Sequence, residues 1–408
     1  MLRPVQSAEP APSPEVSPTV TPLPPPPAPP PDAAGISQTT APISDYSPQP
    51  APTLPDTRWL ADAATSSVPL VLHGGRPFVP VVVDGVRRDF LLSTSHQTTI
   101  EASIPIGGTA GAPAIRTLQI GDVRFFNVKV MRQRITPFAL TYLGAPAAGI
   151  LGRDLFSHYP VKIDYQNQLL TIYRGEAAAA TGRSATATPV VLRLAPSGPT
   201  VPCSVDGTAI PACLVDVYSN ADLGVWPSAS KTDESRRTIG MRDAEPDHEV
   251  NGTVERARSM SIGAMTIPGP LLERMSSTET TYEPAGVRAF IGSGALARFA
   301  VTIDEPAGTL YLEPSSSATA APSTFDGSGL WLVWRGGNVV VRSVIAKSSG
   351  DRAGLREGDV VLAIDGIPPP SCDAARAAFA RPTGTKVKVT YLRGSRRQDV
   401  VLTLRSLI

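Results

Sequence analysis

Two matched segments of this chain end in side chains with different capacities for acid–base chemistry. The segment from Val79 to Gly85 returns as Val201 to Gly207, and each copy continues into an apolar strand. The second strand ends at Asp216, whereas the first ends at Ser93. A carboxylate can give and accept protons, while a serine hydroxyl cannot act as a general base at neutral pH. The pair therefore offers one acid–base group where the repeat could have supplied two.

The duplication continues downstream. The segment from Gly149 to Gly152 recurs as Ala289 to Gly292, and the segment from Val161 to Asp164 recurs as Val301 to Asp304, each 140 residues later. Repetition on this scale predicts two halves of similar build in one pseudo-symmetric body.

This pattern resembles the aspartic peptidases of the retropepsin and pepsin type over about residues 68 to 314. In that family each half offers an apolar strand ending in Asp-Thr-Gly and a later apolar-apolar-Gly turn. One aspartate from each half shares a proton and activates water against a peptide carbonyl. The resemblance implies an all-β fold with a two-lobed, pepsin/retropepsin-like acid-protease β-barrel body, with halves at 67–176 and 188–314. It gives Asp216 the catalytic position of the second half and makes Ser93 the degenerate position of the first.

The resemblance also implies which residues line the cleft. Thr94 and Ser95 follow Ser93, and Val217 and Tyr218 follow Asp216. Ser95 and Tyr218 replace the family's glycine, and Val217 replaces a hydroxyl that braces the loop. These departures predict loss of efficient catalysis, since general acid–base transfer contributes about 10²- to 10⁴-fold to rates.

A hairpin from Leu118 to Val130 has Gly121 and Asp122 at its turn and takes the place of the family's flap, which closes over substrate. Its counterpart in the second half runs from Met260 to Leu271, where Pro268 and Pro270 predict a shortened or frayed flap. The charged stretch from Lys231 to Val250 is interpreted as a surface loop.

Three arrangements could restore a second catalytic group. A homodimer could bring two copies of Asp216 together, although the internal repeat predicts that the halves already pair. Asp89 or Asp222 could supply an acid, although both are better interpreted as solvated turn residues. Ser93 with His96 could form a nucleophile and base, but a spacing of three residues on a tight loop predicts poor geometry.

The composition excludes two classes of partner. With 37 basic and 36 acidic side chains, no net field recruits nucleic acid or an anionic membrane. No apolar run approaches the ~20 residues of a membrane span, and Met1 to Pro14 lacks the apolar stretch of a secretory signal. We expect no nucleic-acid binding and no membrane span, and either a cytosolic protein or one whose leader is removed or lies outside this sequence.

The cysteines and histidines lack the spacing of metal ligands, so we expect no metal and no other cofactor. Cys203 and Cys213 lie on the two arms of the hairpin that turns at Asp206 and Gly207. A cross-strand disulfide is conceivable in an oxidising compartment, while two unbonded core side chains are the favoured interpretation.

The segments that flank the two halves are rich in Pro, Ala, Gly, Ser and Thr. The Pro-rich leader, assigned to residues 1–66, is too poor in apolar side chains to fold and is predicted to be a disordered spacer. Gly175 to Thr188 and Ser315 to Ser323 are predicted linkers.

Residues 325–408 resemble a PDZ domain, with one or two helices on a small sheet. The resemblance rests on Ala353-Gly354-Leu355, Gly358-Asp359 and Ile364-Asp365-Gly366 at their spacing, with a predicted helix from Asp373 to Ala380. Such modules add a ligand strand to an open sheet edge and hold its terminal carboxylate on backbone N–H groups.

By this resemblance, the carboxylate loop is Ser328, Gly329, Leu330 and Trp331, and Leu332 and Val333 form the groove wall with the helix. The chain ends Leu407-Ile408, an apolar terminus of the kind that such grooves take, so self-capture is an alternative.

These patterns indicate three possible functions. The first is a protein that binds extended polypeptide and peptide C-termini without cutting efficiently. The second is an active aspartic endopeptidase that uses Asp216, and the third is an interaction scaffold in a cell envelope. The leader, linkers and PDZ-type module together resemble bacterial envelope quality-control proteins, which favours a periplasmic or secreted location. The choice between monomer and homodimer is left open.

Overall fold

Short strands joined by tight turns make up most of the chain that the computed structural model describes, namely residues 56–60, 62–109, 112–226, 238–244, 249–275, 286–315 and 323–408. The predicted leader lies outside these residues up to position 55. Its last part was assigned wrongly, because β1 and β2 lie within residues 56–69. β1 pairs with β9 and β2 with β13, so both are ordinary sheet strands.

The first lobe contains thirteen strands and three helical segments in its described part. In chain order they are β1 (Asp56–Trp59), β2 (Thr65–Pro69), β3 (Val71–His73), β4 (Arg76–Val83), β5 (Val86–Leu92), β6 (Thr99–Glu101), β7 (Gly107–Thr109), β8 (Ala112–Ile120), β9 (Val123–Lys129), β10 (Met131–Gln133), α1 (Thr136–Phe138), the π-helical turn π1 (Ala139–Leu143), β11 (Gly149–Leu151), α2 (Arg153–Phe156), β12 (Val161–Asp164) and β13 (Leu169–Tyr173).

The segment predicted as a linker between the halves is partly helical. It holds α3 (Glu176–Thr181) and ends at the start of β14. The alanine-rich composition explains this, because alanine has the highest intrinsic helix propensity.

The second lobe repeats the plan of the first. Its described elements are β14 (Thr188–Val191), β15 (Arg193–Ala195), β16 (Gly198–Val205), β17 (Thr208–Asp216), β18 (Leu223–Val225), β19 (Ile239–Ala244), β20 (Glu249–Arg256), β21 (Ser259–Ile262), β22 (Met265–Pro268), β23 (Leu271–Met275), β24 (Ala289–Gly292), α4 (Ser293–Leu296), β25 (Phe299–Asp304) and β26 (Thr309–Pro314).

The charged stretch predicted as a surface loop contains strands. β19 and β20 pair antiparallel, and β20 continues the sheet by pairing with β23. Residues 231–237 and 245–248 of that stretch lie outside the described residues. The loop interpretation was wrong for β19 and for the start of β20, because backbone pairing of β19 with β20 and of β20 with β23 outweighs the low strand propensity of charged side chains.

The two lobes meet in a six-stranded sheet of order β14-β26-β25-β12-β13-β2, which we call the interlobe sheet. At its centre the duplicated motifs pair antiparallel with each other, Val161 opposite Ile303 and Ile163 opposite Val301. All four side chains are fully buried. The repeat therefore places its own two copies side by side, and the halves pair as the sequence predicted.

Cys203 and Cys213 form a disulfide across the β16–β17 hairpin, with Cα atoms 6.1 Å apart. The favoured interpretation as two unbonded core residues was wrong. Buried positions on neighbouring strands satisfy both interpretations, so burial alone could not separate them.

The C-terminal module, residues 323–408, has its own sheet and core. It comprises β27 (Leu330–Arg335), β28 (Asn338–Val344), α5 (Ser349–Arg352), β29 (Val360–Ile364), α6 (Cys372–Phe379), β30 (Lys386–Arg393) and β31 (Arg396–Thr403). The strand order is β27-β28-β29-β30-β31, so β27 is an edge strand. Leu332, Val341, Phe379 and Val389 are among the side chains of its core. None of the described helices is both long enough and apolar enough to cross a membrane.

Candidate functional site

Two loops, one from each lobe, meet where the sequence predicted a catalytic pair. Ser93 follows β5 directly and Asp216 is the last residue of β17. The parallel neighbours β11 and β24 run beside these strands. Gly152 follows β11 directly, and Gly292 is the last residue of β24. An added Cβ at either glycine would lie 2.4 Å from backbone atoms of the adjoining loop. The two apolar-apolar-Gly turns thus hold the two loops by close backbone packing.

Thr94 ties the loops together across the lobe boundary. Its buried hydroxyl donates to the carbonyl of Val215 and accepts from the amide of Val217 at 3.2 Å. Val217 has no hydroxyl with which to return these bonds. Instead, the Ser293 hydroxyl donates to the Val217 carbonyl at 2.7 Å. The loops are therefore braced from one side by Thr94 and from the other by Ser293.

Ser93 keeps the backbone contacts expected of an acceptor at its position but carries no charge. Its Oγ accepts from the amides of Ser95 at 3.2 Å and His96 at 3.1 Å. In the other lobe, Asp216 Oδ1 accepts from the amide of Tyr218 at 3.2 Å, with the same spacing of two residues. The hydroxyl of Ser93 can thus hold the loop in shape without supplying a second carboxylate.

Ser95 and His96 occupy the space between Ser93 and Asp216. Ser95 Oγ donates to Asp216 Oδ1 at 3.1 Å and lies 3.2 Å from both Ser93 Oγ and His96 Nδ1. Burial raises the pKa of Asp216, while the charge of His96, the Ser95 hydroxyl, the Tyr218 amide and the charge of Arg76 act in the opposite direction. One carboxylate therefore faces a serine and a histidine across the cleft.

The contact between Ser93 and His96 corrects a prediction. The spacing predicted poor geometry, but Ser93 Oγ lies 2.9 Å from His96 Nδ1. Ser93 is nevertheless fully buried, so its oxygen is not exposed to an incoming carbonyl. The pair orders the loop and does not present a nucleophile to the cleft.

Sequence reasoning missed Arg76. Its buried guanidinium lies over the Tyr218 ring, 4.9 Å from the centroid, and 5.5 Å from the centroid of Phe138. The ring of Tyr218 in turn lies 4.8 Å from that of His96. The repeat held a signal for this residue, because aligning Pro77 with Pro199 places Arg76 opposite Gly198. An added Cβ at Gly198 would lie 2.7 Å from the Thr94 carbonyl, so lobe 2 has no room for a side chain there.

Two further predictions about acids have different outcomes. Asp89 is an exposed residue of β5 and stays outside the site. Asp222 is buried and accepts from the amide of Leu271 at 2.7 Å, so its interpretation as a solvated turn residue was wrong. Asp222 thus binds the backbone at the start of β23 and does not contribute a second acid beside Asp216.

Gly121 and Asp122, predicted to belong to a flap, form the turn between β8 and β9. That turn packs on residues at the start of lobe 1. The backbone carbonyl of Asp122 accepts from the Leu60 amide at 2.7 Å, and the Asp122 amide donates to Ser66 Oγ at 2.7 Å. A second hairpin, β7 with β8, precedes this one in the chain, and the assignment of Gly121 and Asp122 to a flap stays a prediction.

The counterpart predicted in lobe 2 is likewise a paired hairpin. β21 and β22 pair from Ser259 opposite Pro268 to Ile262 opposite Met265. The expected fraying at Pro268 does not occur, because a proline at the end of a strand removes no ladder hydrogen bond that the hairpin needs.

The residues predicted to bind peptide lie together at the edge of the C-terminal module. Ser328 and Gly329 precede β27, which holds Leu330, Trp331, Leu332 and Val333. Leu330 and Leu332 enter the module's core. Trp331 packs with Ile345, Leu407 and Ile408 against a buried pair from lobe 2, Ile239 and Val254. The chain's own terminus therefore lies on the Trp331 face.

Comparisons with known proteins identify part of this architecture. The PDZ domain family model matches residues 340–404, from within β28 to the end of β31. The crystal structure of an aspartic proteinase from Irpex lacteus is similar with a TM-score of 0.41 and 15% identity, covering 63% of this chain and 99% of that one. No curated protein matches the sequence. The described residues lie mostly in β-strands, as predicted. Residues 340–404 form a PDZ domain, and β27 belongs to the same sheet but precedes the matched residues.

Proposed function

We propose that this protein binds extended polypeptide in a two-lobed, aspartic-peptidase-like cleft and does not cleave it efficiently. The observation that carries the proposal is that Asp216 accepts a hydrogen bond from Ser95, whose hydroxyl also contacts His96, and not from a second carboxyl group. A shared-proton dyad needs two close acids, one protonated and one ionised. Among the described residues, the two loops that meet here bring together one acid, Asp216.

The arrangement of Arg76 and Tyr218 supports the same proposal. Both side chains are buried, and they stack where pseudo-symmetry places the small residues Gly198 and Ser95. The side chains of Arg76 and Tyr218 fill space beside Asp216. A reacting carbonyl and a water molecule would need that space.

The PDZ domain supports a second contact with polypeptide. Domains of this kind bind peptides by strand addition to a sheet edge. The disulfide between Cys203 and Cys213 supports an oxidising compartment, such as a periplasm or the extracellular space. Together these features support a peptide-binding protein of the cell envelope.

The test uses the full chain with labelled, unfolded casein. We expect binding by fluorescence anisotropy and no acid-dependent cleavage above that of the Asp216→Ala variant. Asp222→Asn is a matched control, since it removes a buried acid that holds backbone and lies outside the cleft. Cleavage at acid pH that a transition-state mimic blocks and Asp216→Ala abolishes would replace this proposal with the second candidate.

That second candidate is an aspartic-type endopeptidase using Asp216 alone. The raised pKa of Asp216 favours it, because burial keeps a proton on this group to higher pH than usual. Peptidase activity with a bell-shaped pH profile that shifts in His96→Gln would support it.

A further inference from the structure

The free edge of β27 is already engaged by the chain itself. Strand addition needs the backbone groups of an edge strand to be open on the side away from their sheet. The Leu332 carbonyl instead accepts from the guanidinium of Arg376 on α6 at 3.1 Å. A ligand strand in this groove would have to displace Arg376 from that carbonyl.

The same guanidinium belongs to a chain of hydrogen bonds that ends in lobe 1. Arg376 also contacts Asp373 Oδ1 at 3.1 Å, and Asp373 Oδ2 accepts from the Gly74 amide at 2.7 Å. Asp373 lies in the first turn of α6, on the groove side of the module. This contact joins the helix that walls the groove to a loop of the body.

Packing reinforces the contact. The π-helical turn π1 lies beside β27, and an added Cβ at Gly144, which ends that turn, would lie 4.0 Å from Trp334 Cβ. Gly74 packs on the same turn, since its added Cβ would lie 2.9 Å from Leu143 Cδ2. Lobe 1 therefore meets β27 and α6 together, on the two elements that bound the groove.

The end of the groove that would take a carboxylate is closed as well. The Ser328 amide donates to Asp326 Oδ1 at 2.6 Å, and the Leu330 amide donates to Ser328 Oγ at 3.1 Å. Ser328 is fully buried, and Leu407 Cδ1 would lie 3.2 Å from an added Cβ at Gly329. The N–H groups of Ser328 and Leu330 therefore already have acceptors within the chain.

We propose that lobe 1 holds the PDZ groove in a closed state, with Asp373 as the latch between Gly74 and Arg376, and that a peptide enters only when this contact opens. The loop that carries Gly74 continues into Arg76, which stacks on Tyr218 beside Asp216. Opening of the groove therefore loosens one wall of the cleft. This last link rests on the proposed function, whereas the closed groove does not.

The first test opens the latch. The Asp373→Ala variant removes the acceptor of Gly74 and the partner of Arg376, and Asp351→Ala is its matched control. Asp351 also lies in the first turn of a module helix, but it accepts from the Lys347 amide at 2.7 Å, away from lobe 1. The probe is a labelled ten-residue peptide with the sequence of residues 399–408, and amide hydrogen exchange over β27 and the Gly74 loop is the second readout.

We expect Asp373→Ala to bind the probe about 10-fold more tightly than the native chain, because the open fraction multiplies the apparent affinity. Exchange over β27 and over the Gly74 loop should rise by a similar factor. Asp351→Ala should change neither segment. Unaltered exchange at β27 and at the Gly74 loop in Asp373→Ala overturns the proposal, whatever the probe does.

The second test fixes the closed state. The 4.0 Å between Cβ positions of residues 144 and 334 suits a disulfide, whose Cβ atoms lie about 3.5–4.5 Å apart. The oxidised Gly144→Cys/Trp334→Cys variant should lose probe binding and slow exchange at β27, and reductant should restore both. The native chain in reductant controls for the Cys203–Cys213 bond. Equal probe affinity of the oxidised and reduced variant would show that peptides reach the groove without undocking.

These outcomes are separable from those of the casein test. A chain that fails to bind casein but opens in Asp373→Ala loses the proposed cleft function and keeps the latch. A chain that binds casein in the cleft, while Asp373→Ala exchanges like the native protein, keeps the function and loses the latch.

Discussion

Replacing Thr94 with valine should destabilise the two-lobed body at its centre. The Thr94 hydroxyl is buried and serves two backbone groups of the opposite lobe, the Val215 carbonyl and the Val217 amide. Valine keeps the shape of threonine but leaves both groups without a partner. A buried group left in this way costs about 1–3 kcal/mol. We therefore expect the free energy of unfolding to fall by about 2–5 kcal/mol.

The matched control is Thr302→Val. Thr302 is also fully buried, on β25 of the interlobe sheet, but its hydroxyl has no hydrogen-bond partner among the described residues. Valine there removes an unsatisfied polar atom, so stability should stay constant or rise by up to about 1 kcal/mol. Urea unfolding followed by circular dichroism measures both variants. Equal midpoints for Thr94→Val and Thr302→Val would refute the role of Thr94 as the tie between lobes.

Two further predictions concern charge in the body. Ser93→Asp alone should not produce acid-dependent casein cleavage, because Arg76 and Tyr218 still fill the cleft. Adding Arg76→Gly and Tyr218→Gly should raise the rate at least about 10²-fold over the single variant, and equal rates would contradict the role of these two side chains. Burial raises the pKa of Glu305 to about 7, so its protonated form suits the fold and stability is lost as pH rises from about 4.5 to about 7. Glu305→Gln should therefore gain up to about 3 kcal/mol over the native chain at pH 8 and little at pH 4, as thermal unfolding at the two pH values would show.

Local patterns in the sequence were sufficient to predict the architecture. The repeated Val161 and Val301 segments alternate apolar and polar residues, and the same alternation buries them against each other in the interlobe sheet. The elements of the PDZ domain follow turn residues and apolar runs in the same way, with α6 at Cys372–Phe379 against a predicted helix from Asp373 to Ala380. Such signals are local, and they survive in any compact arrangement of the chain.

The features that could not be predicted from the sequence depend on contacts between segments that lie far apart in the chain. β19 and β20 form because β23 offers an edge to pair with, which the charged composition of residues 231–250 does not reveal. The position of the Gly121–Asp122 turn likewise depends on a distant contact, since the Asp122 amide donates to Ser66 Oγ. The docking of Asp373 on Gly74 spans 299 positions and has no sequence signature at all.

The side chains around Asp216 depend on one another. Under the proposed function, the position two residues after Asp216 does not have to admit a reacting substrate, so the bulky side chain of Tyr218 is tolerated there. Its ring then offers a face to Arg76, and a buried guanidinium over an aromatic ring is stabilised by about 2 kcal/mol when desolvated. Because Arg76 also bears on Asp216, reversing any one of these changes would strand a buried charge or open a cavity. Under the proposed function, a working dyad would therefore require at least the Ser93, Arg76 and Tyr218 positions to change together.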